Sequence, residues 1–215
     1  MTLDADQILE RRRLKRRLAF WRALGIVALG AVVVVGAGRF DLMAEDDHVA
    51  RFTIVGIILD DQAQQDALYG VADNDKAKAL LVKINSPGGT LVGGEALYQT
   101  LPQVPKKKPV VALMGTTATS AGYMTALGSD HIVAQASSLT GSIGVIMQAA
   151  DLTGLFEKLG IKPEIIKSGP LKAQPNPLER FTPEARKATE EMIQDFYNMF
   201  VDLVVECRSL HRDKV

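Results

Sequence analysis

The stretch ALLVKINSPGGTLVGG (79–94) decides the fold class, because an apolar run enters a glycine-rich turn and then a helical pattern. The short apolar run Ala79–Ile84 is typical of a buried strand, and a helix is predicted at Gly94–Leu101. Two adjacent glycines, Gly88 and Gly89, allow the backbone to point its N–H groups into a cleft. The turn is therefore a candidate oxyanion cradle, with an ordinary tight turn as the alternative.

The same alternation of apolar strands and short helices continues along the chain and predicts an α/β domain. Crossovers of this kind build a mostly parallel sheet with flanking helices. The other predicted strands are Arg51–Leu59, Val110–Met114, Ile132–Ala134, Val145–Met147 and Pro163–Lys167. The other predicted helices before the last one are Gln62–Val71, Ser120–Leu127 and Leu152–Leu159.

The last helix has the clearest start signal. Thr182 is a suitable N-cap and Pro183 suits the first helical position. An apolar stripe then gives this helix one face for the core or for a neighbouring subunit. The stripe consists of Ala188, Met192, Phe196, Phe200 and Val204.

The charge of the 215-residue chain is zero, with 25 basic and 25 acidic side chains, but it is unevenly distributed. Residues 1–22 carry seven basic groups against three acidic ones, which leaves the remainder at −4. A negative body does not provide the basic patch that binds nucleic acid. The single cysteine, Cys207, excludes an internal disulfide framework and a cysteine-based metal site. No metal or nucleotide motif is present in the sequence, so no cofactor is expected.

A membrane segment is predicted near the N-terminus. Residues 23–38 (ALGIVALGAVVVVGAG) carry no charge, and the basic residues precede them. This order predicts a cytoplasmic head at 1–22, a transmembrane anchor at 23–39, a linker at 40–47 and a folded domain at 48–215 beyond the membrane. A cleaved signal peptide and a buried soluble helix are the alternatives.

A second turn after a strand places a serine at a predicted strand-to-helix junction. Ser120 follows Val110–Met114 and the intervening small residues, and Ala121 follows it. A nucleophile there would be close to its neighbour's N–H group, which could stabilise an oxyanion. The alternative is that Ser120 only caps the helix, as serines often do.

A serine nucleophile needs a base, and none of the three histidines is well placed. His48 adjoins the linker, His131 opens a strand after Asp130, and His211 lies in the charged tail. A lysine can act as the base when burial favours its neutral form. Lys172 follows Gly169 and Pro170 and is the candidate, with a solvated surface lysine as the alternative.

Four motifs in this order resemble the SppA-type signal peptide peptidases, which are membrane-bound serine proteases with a Ser/Lys dyad and a ClpP/crotonase-like fold. They are INSPGG (84–89), TSAGYM (119–124), LTGSIGV (139–145) and SGPLK (168–172). The resemblance implies Ser120 as the nucleophile and Lys172 as the general base. It also implies an oxyanion hole built from the backbone N–H groups of Gly88 or Gly89 and of Ala121.

The resemblance further implies a homo-oligomeric ring in which the serine of one protomer meets the lysine of its neighbour. Its expected substrates are released signal peptides or other short apolar peptides. Its expected location is the bacterial inner membrane, with a cytoplasmic N-terminus. The chain departs from the family at Ala173, where an acidic residue is common. The resemblance also leads us to expect that the family's usual C-terminal segment is missing after residue 215.

Two other classes of function fit parts of the sequence. A non-catalytic membrane scaffold of the same fold would account for a shortened domain, although both Ser120 and Lys172 are present. An acyl-CoA enzyme could use the same oxyanion turns without a nucleophile, but the negative body has no feature for CoA phosphates.

Overall fold

The computed structural model describes residues 3–41, 46–104 and 108–215. The chain divides into two compact units, 1–46 and 47–215. In the first unit, helix α1 spans Leu3–Asp41 and includes residues 3–22 of the predicted basic head. Its 23-residue segment Arg13–Val35 is the one part of the described chain that is long and apolar enough to cross a membrane. Of the predicted linker, residues 42–45 lie outside the described residues.

The second unit alternates strands and helices. The strands are β1 (His48–Ile58), β2 (Ala77–Gly89), β3 (Val110–Thr119), β4 (His131–Val133) and β5 (Leu139–Gly141). The helices are α2 (Gln62–Asp73), α3 (Leu91–Thr100), α4 (Ala121–Leu127), α5 (Thr153–Leu159) and α6 (Pro183–Arg208), with short 3-10 turns at Leu101–Gln103 and Arg212–Lys214.

The five strands form one parallel sheet in the order β1-β2-β3-β4, and β5 also pairs with β3. The first half of β3 pairs with β4, and its last three residues, Thr117–Thr119, pair with β5. This arrangement confirms the predicted mostly parallel sheet with flanking helices. It also brings the end of β3, the end of β2 and the end of β5 to one edge of the sheet, where Ser120 follows.

The core lies on one face of the sheet, beneath α2, α3 and α4. Leu80, Val82 and Ile84 alternate along β2 and are fully buried there, together with Leu68 of α2 and Leu97 of α3. Burying each such side chain stabilises the fold by about 1.5–3 kcal/mol. Two of the helices over this face, α2 and α3, begin with side-chain caps, since Asp61 accepts from Ala63 N and Thr90 accepts from Gly93 N. The core therefore fixes the direction in which α3 and α4 leave the sheet edge.

The last helix begins as its sequence predicts. Thr182 Oγ1 accepts a hydrogen bond from Ala185 N at 3.2 Å, and Pro183 occupies the first turn. Phe200 and Val204 of its apolar stripe are buried against Met124 of α4. This packing holds α6 against the element that follows Ser120.

Two strand predictions are wrong. Val145–Met147 and Pro163–Lys167 lie in irregular backbone, in the segments 142–152 and 161–182. Their apolar side chains lack a layer to pack against, since Ile146 is 81% exposed and Ile166 is fully exposed. The sequence analysis missed β5, whose three residues pair with the end of β3.

Candidate active site

Ser120 lies between the end of β3 and the start of α4, in a backbone conformation that is unusual for a serine. Its φ is 52° and its ψ is −121°. These angles match the first central residue of a type II′ turn, where glycine is the usual residue. The conformation is held by two backbone hydrogen bonds, from Ser120 N to Gly141 O (2.8 Å) and from Met124 N to Ser120 O (2.9 Å). Strand β5 thus anchors the serine through Gly141.

The side chain of Ser120 does not cap helix α4, which was the alternative interpretation of this residue. Ser120 occupies the N-cap position of α4, but its hydroxyl makes no capping hydrogen bond to the first turn. It lines a cavity instead. The hydroxyl is therefore presented at the sheet edge by a strained turn, which is a common arrangement for a nucleophile.

The glycine turn at the end of β2 packs directly against Ser120. A Cβ atom at Gly88 would lie 2.8 Å from Ser120 Cβ and 3.2 Å from its Oγ, and φ at Gly88 is +113°. A Cβ atom at Gly89 would lie 1.8 Å from the carbonyl oxygen of Ile58. Both positions therefore require glycine, Gly88 for its conformation and for its approach to the serine, and Gly89 for its approach to β1.

A buried serine organises this turn. Ser86 is fully buried, and its Oγ accepts a hydrogen bond from Gly88 N at 3.0 Å and donates to Gly88 O at 3.2 Å. The amide of Gly88 is thus directed into the turn. The sequence analysis did not single out Ser86, although it lies inside the INSPGG motif.

A cavity of about 390 Å³ opens beside Ser120. Its walls are mostly apolar and come from α3, α4, the irregular segment 144–147 and helix α6. The lining residues are Gly89, Thr90, Leu91, Ser120, Ala121, Met124, Gly144, Val145, Ile146, Met147, Met192, Ile193, Phe196 and Phe200. The stripe on α6, which was predicted to serve the core or a subunit contact, therefore also supplies walls of the cavity through Met192 and Phe196. A cavity of this composition suits an apolar segment of a peptide.

Lys172 is outside the lining of the cavity that contains Ser120. It is exposed in the irregular segment 161–182. Its backbone N donates to Gly169 O at 3.2 Å. No hydrogen bond joins Lys172 Nζ to Ser120 Oγ within the described chain. A single copy of the protein therefore brings Ser120, Gly89 and Ala121 together but leaves Lys172 apart.

The Asp130–His131 pair has a structural role, as the sequence analysis favoured. Val110 N donates to Asp130 Oδ2 at 2.8 Å, and Asp130 N donates to Val110 O at 2.9 Å. His131 then begins β4. The carboxylate is engaged at the start of the sheet, at the end of β3 opposite to Ser120.

Comparison with known proteins agrees with the motifs. The chain is 38% identical over 169 residues to a protein of Synechocystis sp. that carries a provisional protease name, and the match covers 78% of this chain and 61% of that protein. It is 34% identical over 152 residues to the chloroplastic serine protease SPPA of Arabidopsis thaliana, covering 69% of this chain and 22% of that protein. The chain thus spans less than two thirds of the length of both relatives.

Among solved structures, a ClpP1 variant from Listeria monocytogenes matches with a TM-score of 0.45 and 12% identity, over 76% of this chain and 75% of that one. The family model for peptidase family S49 matches residues 103–215, which is more than half of the chain and includes Ser120, Lys172 and α6. The match to the family model and the relative named SPPA confirm the resemblance to SppA-type peptidases. The chain belongs to peptidase family S49.

Proposed function

We propose that this chain is a membrane-anchored serine endopeptidase in which Ser120 is the nucleophile and Lys172 is the general base. The observation that carries the proposal is the position of Ser120. Its hydroxyl lies on a strained turn, makes no capping bond, and lines an apolar cavity between the two motif-bearing turns. An inert capping serine would not need this conformation.

In the proposed reaction, Ser120 Oγ attacks a peptide carbonyl carbon while its proton passes to the neutral amine of Lys172. The tetrahedral intermediate expels the amine of the leaving peptide, which takes the proton from Lys172. Water then attacks the acyl carbon while Lys172 takes one of its protons. The ammonium returns that proton to Ser120 Oγ as the ester bond breaks and the carboxylic product leaves. No redox step or metal is required for this sequence.

The oxyanion of the intermediate would be stabilised by backbone N–H groups beside Ser120. Gly88, Gly89 and Ala121 were predicted for this role. Because Gly88 N already donates to Ser86 Oγ, the geometry favours Gly89 and Ala121. The amide of Ala121 is in the first turn of α4, where N–H groups have no acceptor within the helix.

We infer that Lys172 reaches Ser120 from a neighbouring protomer of a ring. The support is that, within one copy, Lys172 is exposed and does not line the serine cavity. The segment 161–182 that carries it also exposes Ile166 and Leu171, as expected of a surface that a second copy covers. Enclosing the ammonium in such an interface would desolvate its charge and favour the neutral amine that a base requires.

The proposed substrates are released signal peptides or other short apolar peptides. The apolar walls at Leu91, Met124 and Phe196 support this class, because a polar segment would leave its groups without partners there. The apolar helix Arg13–Val35 supports an anchor, and the basic residues before residue 23 support a cytoplasmic N-terminus. The catalytic domain would then act on the far side of the membrane.

The proposal is tested by hydrolysis of fluorogenic apolar peptides in detergent. We expect turnover by the unsubstituted chain and its loss in both Ser120→Ala and Lys172→Ala, with unchanged oligomer size. Lys162→Ala is the matched control, since Lys162 is also an exposed lysine in the same segment. Equal turnover in all four proteins would exclude the dyad. An assembled but inactive unsubstituted chain would favour the non-catalytic scaffold.

A further inference from the structure

The backbone immediately after Lys172 is strained. Ala173 has a φ of +63°, in the left-handed region that L-residues other than glycine, asparagine and aspartate rarely adopt. An alanine held in this region has no side-chain hydrogen bond of its own to compensate. Something outside the residue must therefore hold the peptide that follows Lys172 in place.

Two contacts hold it: Gln174 N donates to Leu171 O at 3.3 Å and closes a turn around Ala173, and the side chain of Asn176 binds the carbonyl of Ala173. Asn176 Nδ2 donates to Ala173 O at 2.8 Å and to Glu179 Oε1 at 2.9 Å, while its Oδ1 accepts from Leu178 N at 2.9 Å. The side-chain amide of Asn176 thus bridges the strained carbonyl to a carboxylate. Both of these hydrogen bonds require the amide NH₂ group of Asn176, which a carboxylate lacks.

The carboxylate is in turn fixed by a lysine from an earlier part of the segment. Lys167 Nζ lies 2.6 Å from Glu179 Oε1, and the two side chains are only 21% and 26% exposed. The hydrogen bond from Lys167, followed by the one from Asn176, lowers the pKa of Glu179 below its ordinary value. Seven other ion pairs in the described chain have side chains that are 47–85% exposed. The Lys167–Glu179 pair is more enclosed than these seven pairs. Enclosed charge pairs hold their geometry better than solvated ones.

We propose that Asn176, Glu179 and Lys167 are positioning residues that hold the loop bearing Lys172 in the conformation needed for catalysis. The inference rests on the proposed function, because it assumes that Lys172 is the base. The chain of contacts runs from Lys167 through Glu179 and Asn176 to the carbonyl of Ala173. Without it, Ala173 would relax to a right-handed or extended conformation and redirect the preceding side chain.

The experiment compares kcat and KM for variants of the full-length chain in detergent, with Lys172→Ala as reference. Asn176→Asp keeps the shape of the side chain and its acceptor for Leu178 N, but it cannot donate to Ala173 O. We expect kcat to fall about 10- to 100-fold with KM within about twofold, because the base is misplaced while the substrate cavity is untouched. Lys167→Met should behave similarly, and Lys167→Arg should restore most of kcat.

Glu191→Gln is the matched control, since Glu191 pairs with Lys187 at 3.9 Å on the exposed face of α6. Its kcat should equal that of the unsubstituted chain. Unchanged kcat in both Asn176→Asp and Lys167→Met would overturn the positioning role if Lys172→Ala is inactive. Full activity of Lys172→Ala would instead show that Lys172 is not the general base, and the proposed function itself would then be wrong.

A second pair of variants decides the question if Asn176→Asp fails to fold or assemble. Ala173→Gly can adopt the left-handed conformation without strain, whereas the β-branched side chain of Ala173→Val opposes it. We expect Ala173→Gly to retain kcat and Ala173→Val to lose at least about 10-fold. Equal kcat in this pair would show that the conformation after Lys172 does not matter, and the proposal would be wrong.

Discussion

Gly88 and Ser120 are in direct contact, to the extent that a Cβ atom at Gly88 would lie 2.8 Å from Ser120 Cβ. The same atom would lie 3.1 Å from the carbonyl oxygen of Thr119. The glycine turn after β2 therefore forms one wall around the serine hydroxyl. The two turns that the sequence singles out separately are one structural unit.

We predict that Gly88→Ala will lose at least about 100-fold in kcat/KM, because the added methyl group must displace Ser120. The positive φ of Gly88 adds a folding cost of roughly 1–3 kcal/mol, measurable by denaturant unfolding. Gly70→Ala is the control, since it has open space in helix α2 and a gain of about 0.5–1 kcal/mol is expected there. Unchanged kcat/KM in Gly88→Ala would contradict the close contact.

Shared active sites predict complementation. Ser120→Ala and Lys172→Ala are each expected to be inactive, but rings assembled from both should contain some sites with an intact serine and an intact lysine. In an equal mixture we expect about a quarter of the unsubstituted activity, because each site draws its two residues independently from two protomers. The measurement is peptide hydrolysis after co-expression with two affinity tags. Zero activity in verified mixed rings would place both residues of a site on one protomer.

Lys108 should contribute to stability without any role in catalysis. The side chain is only 8% exposed, and its Nζ donates to Val71 O, Ala72 O and Asn74 O at 2.6–3.0 Å. A cation at the C-terminal end of α2 also interacts favourably with the helix dipole. We expect Lys108→Met to lower the free energy of unfolding by about 1–3 kcal/mol while kcat stays unchanged.

The control for Lys108 is Lys78→Met, because Lys78 Nζ also donates to a backbone carbonyl, that of Asp75, but is about half exposed. Its loss should cost less than about 1 kcal/mol. If the two variants unfold at the same denaturant concentration, the buried lysine does not support α2 as inferred.

Tyr98 should titrate unusually late. Its hydroxyl lies 3.5 Å from Cys207 Sγ, and this hydrogen bond, together with partial burial, raises the pKa of Tyr98 to about 12. Because the pKa is higher in the folded state, the protonated phenol stabilises the fold fully at pH values below about 10. This stabilisation is lost as the pH rises towards 12. We expect Tyr98 to stay mostly protonated at about pH 11 and to be ionised to a greater extent there in Cys207→Ala, because the largest cause of the raised pKa is removed.

The titration is read by NMR of ring-labelled tyrosine, with Tyr98→Phe identifying the signal among the four tyrosines. Stability should fall less steeply between pH 10 and 12 in Cys207→Ala than in the unsubstituted chain. The same midpoint with and without Cys207 would show that the sulfur does not control the phenol.

Local chemistry made much of this fold predictable. Thr182 and Pro183 determine the start of α6 through groups within one turn, and the structure begins the helix there. Ser120 was placed at a strand-to-helix junction because an apolar strand ends shortly before it, and β3 and α4 meet at that residue. Short-range signals of this kind do not depend on the rest of the chain.

The sequence-based predictions failed where the local structure depends on residues that are distant in the sequence. The apolar residues of Val145–Met147, two of them β-branched, favour a strand locally, but no strand lies beside them in the described chain. Their side chains form part of the cavity wall instead. Strand β5 has the opposite character, because its short sequence Leu139–Gly141 carries little strand signal and is ordered by pairing with β3. The contact of Asn176 with Ala173 and Glu179 belongs to no recognised motif and was missed for the same reason.

The backbone of Ser120 also has a consequence for evolution. Glycine would adopt its φ of 52° and ψ of −121° with less strain than serine does, but glycine has no hydroxyl. Stability and chemistry therefore compete at this one position. A library of this chain selected only for tolerance to heat should accumulate glycine at position 120, whereas selection for peptide hydrolysis should keep the serine.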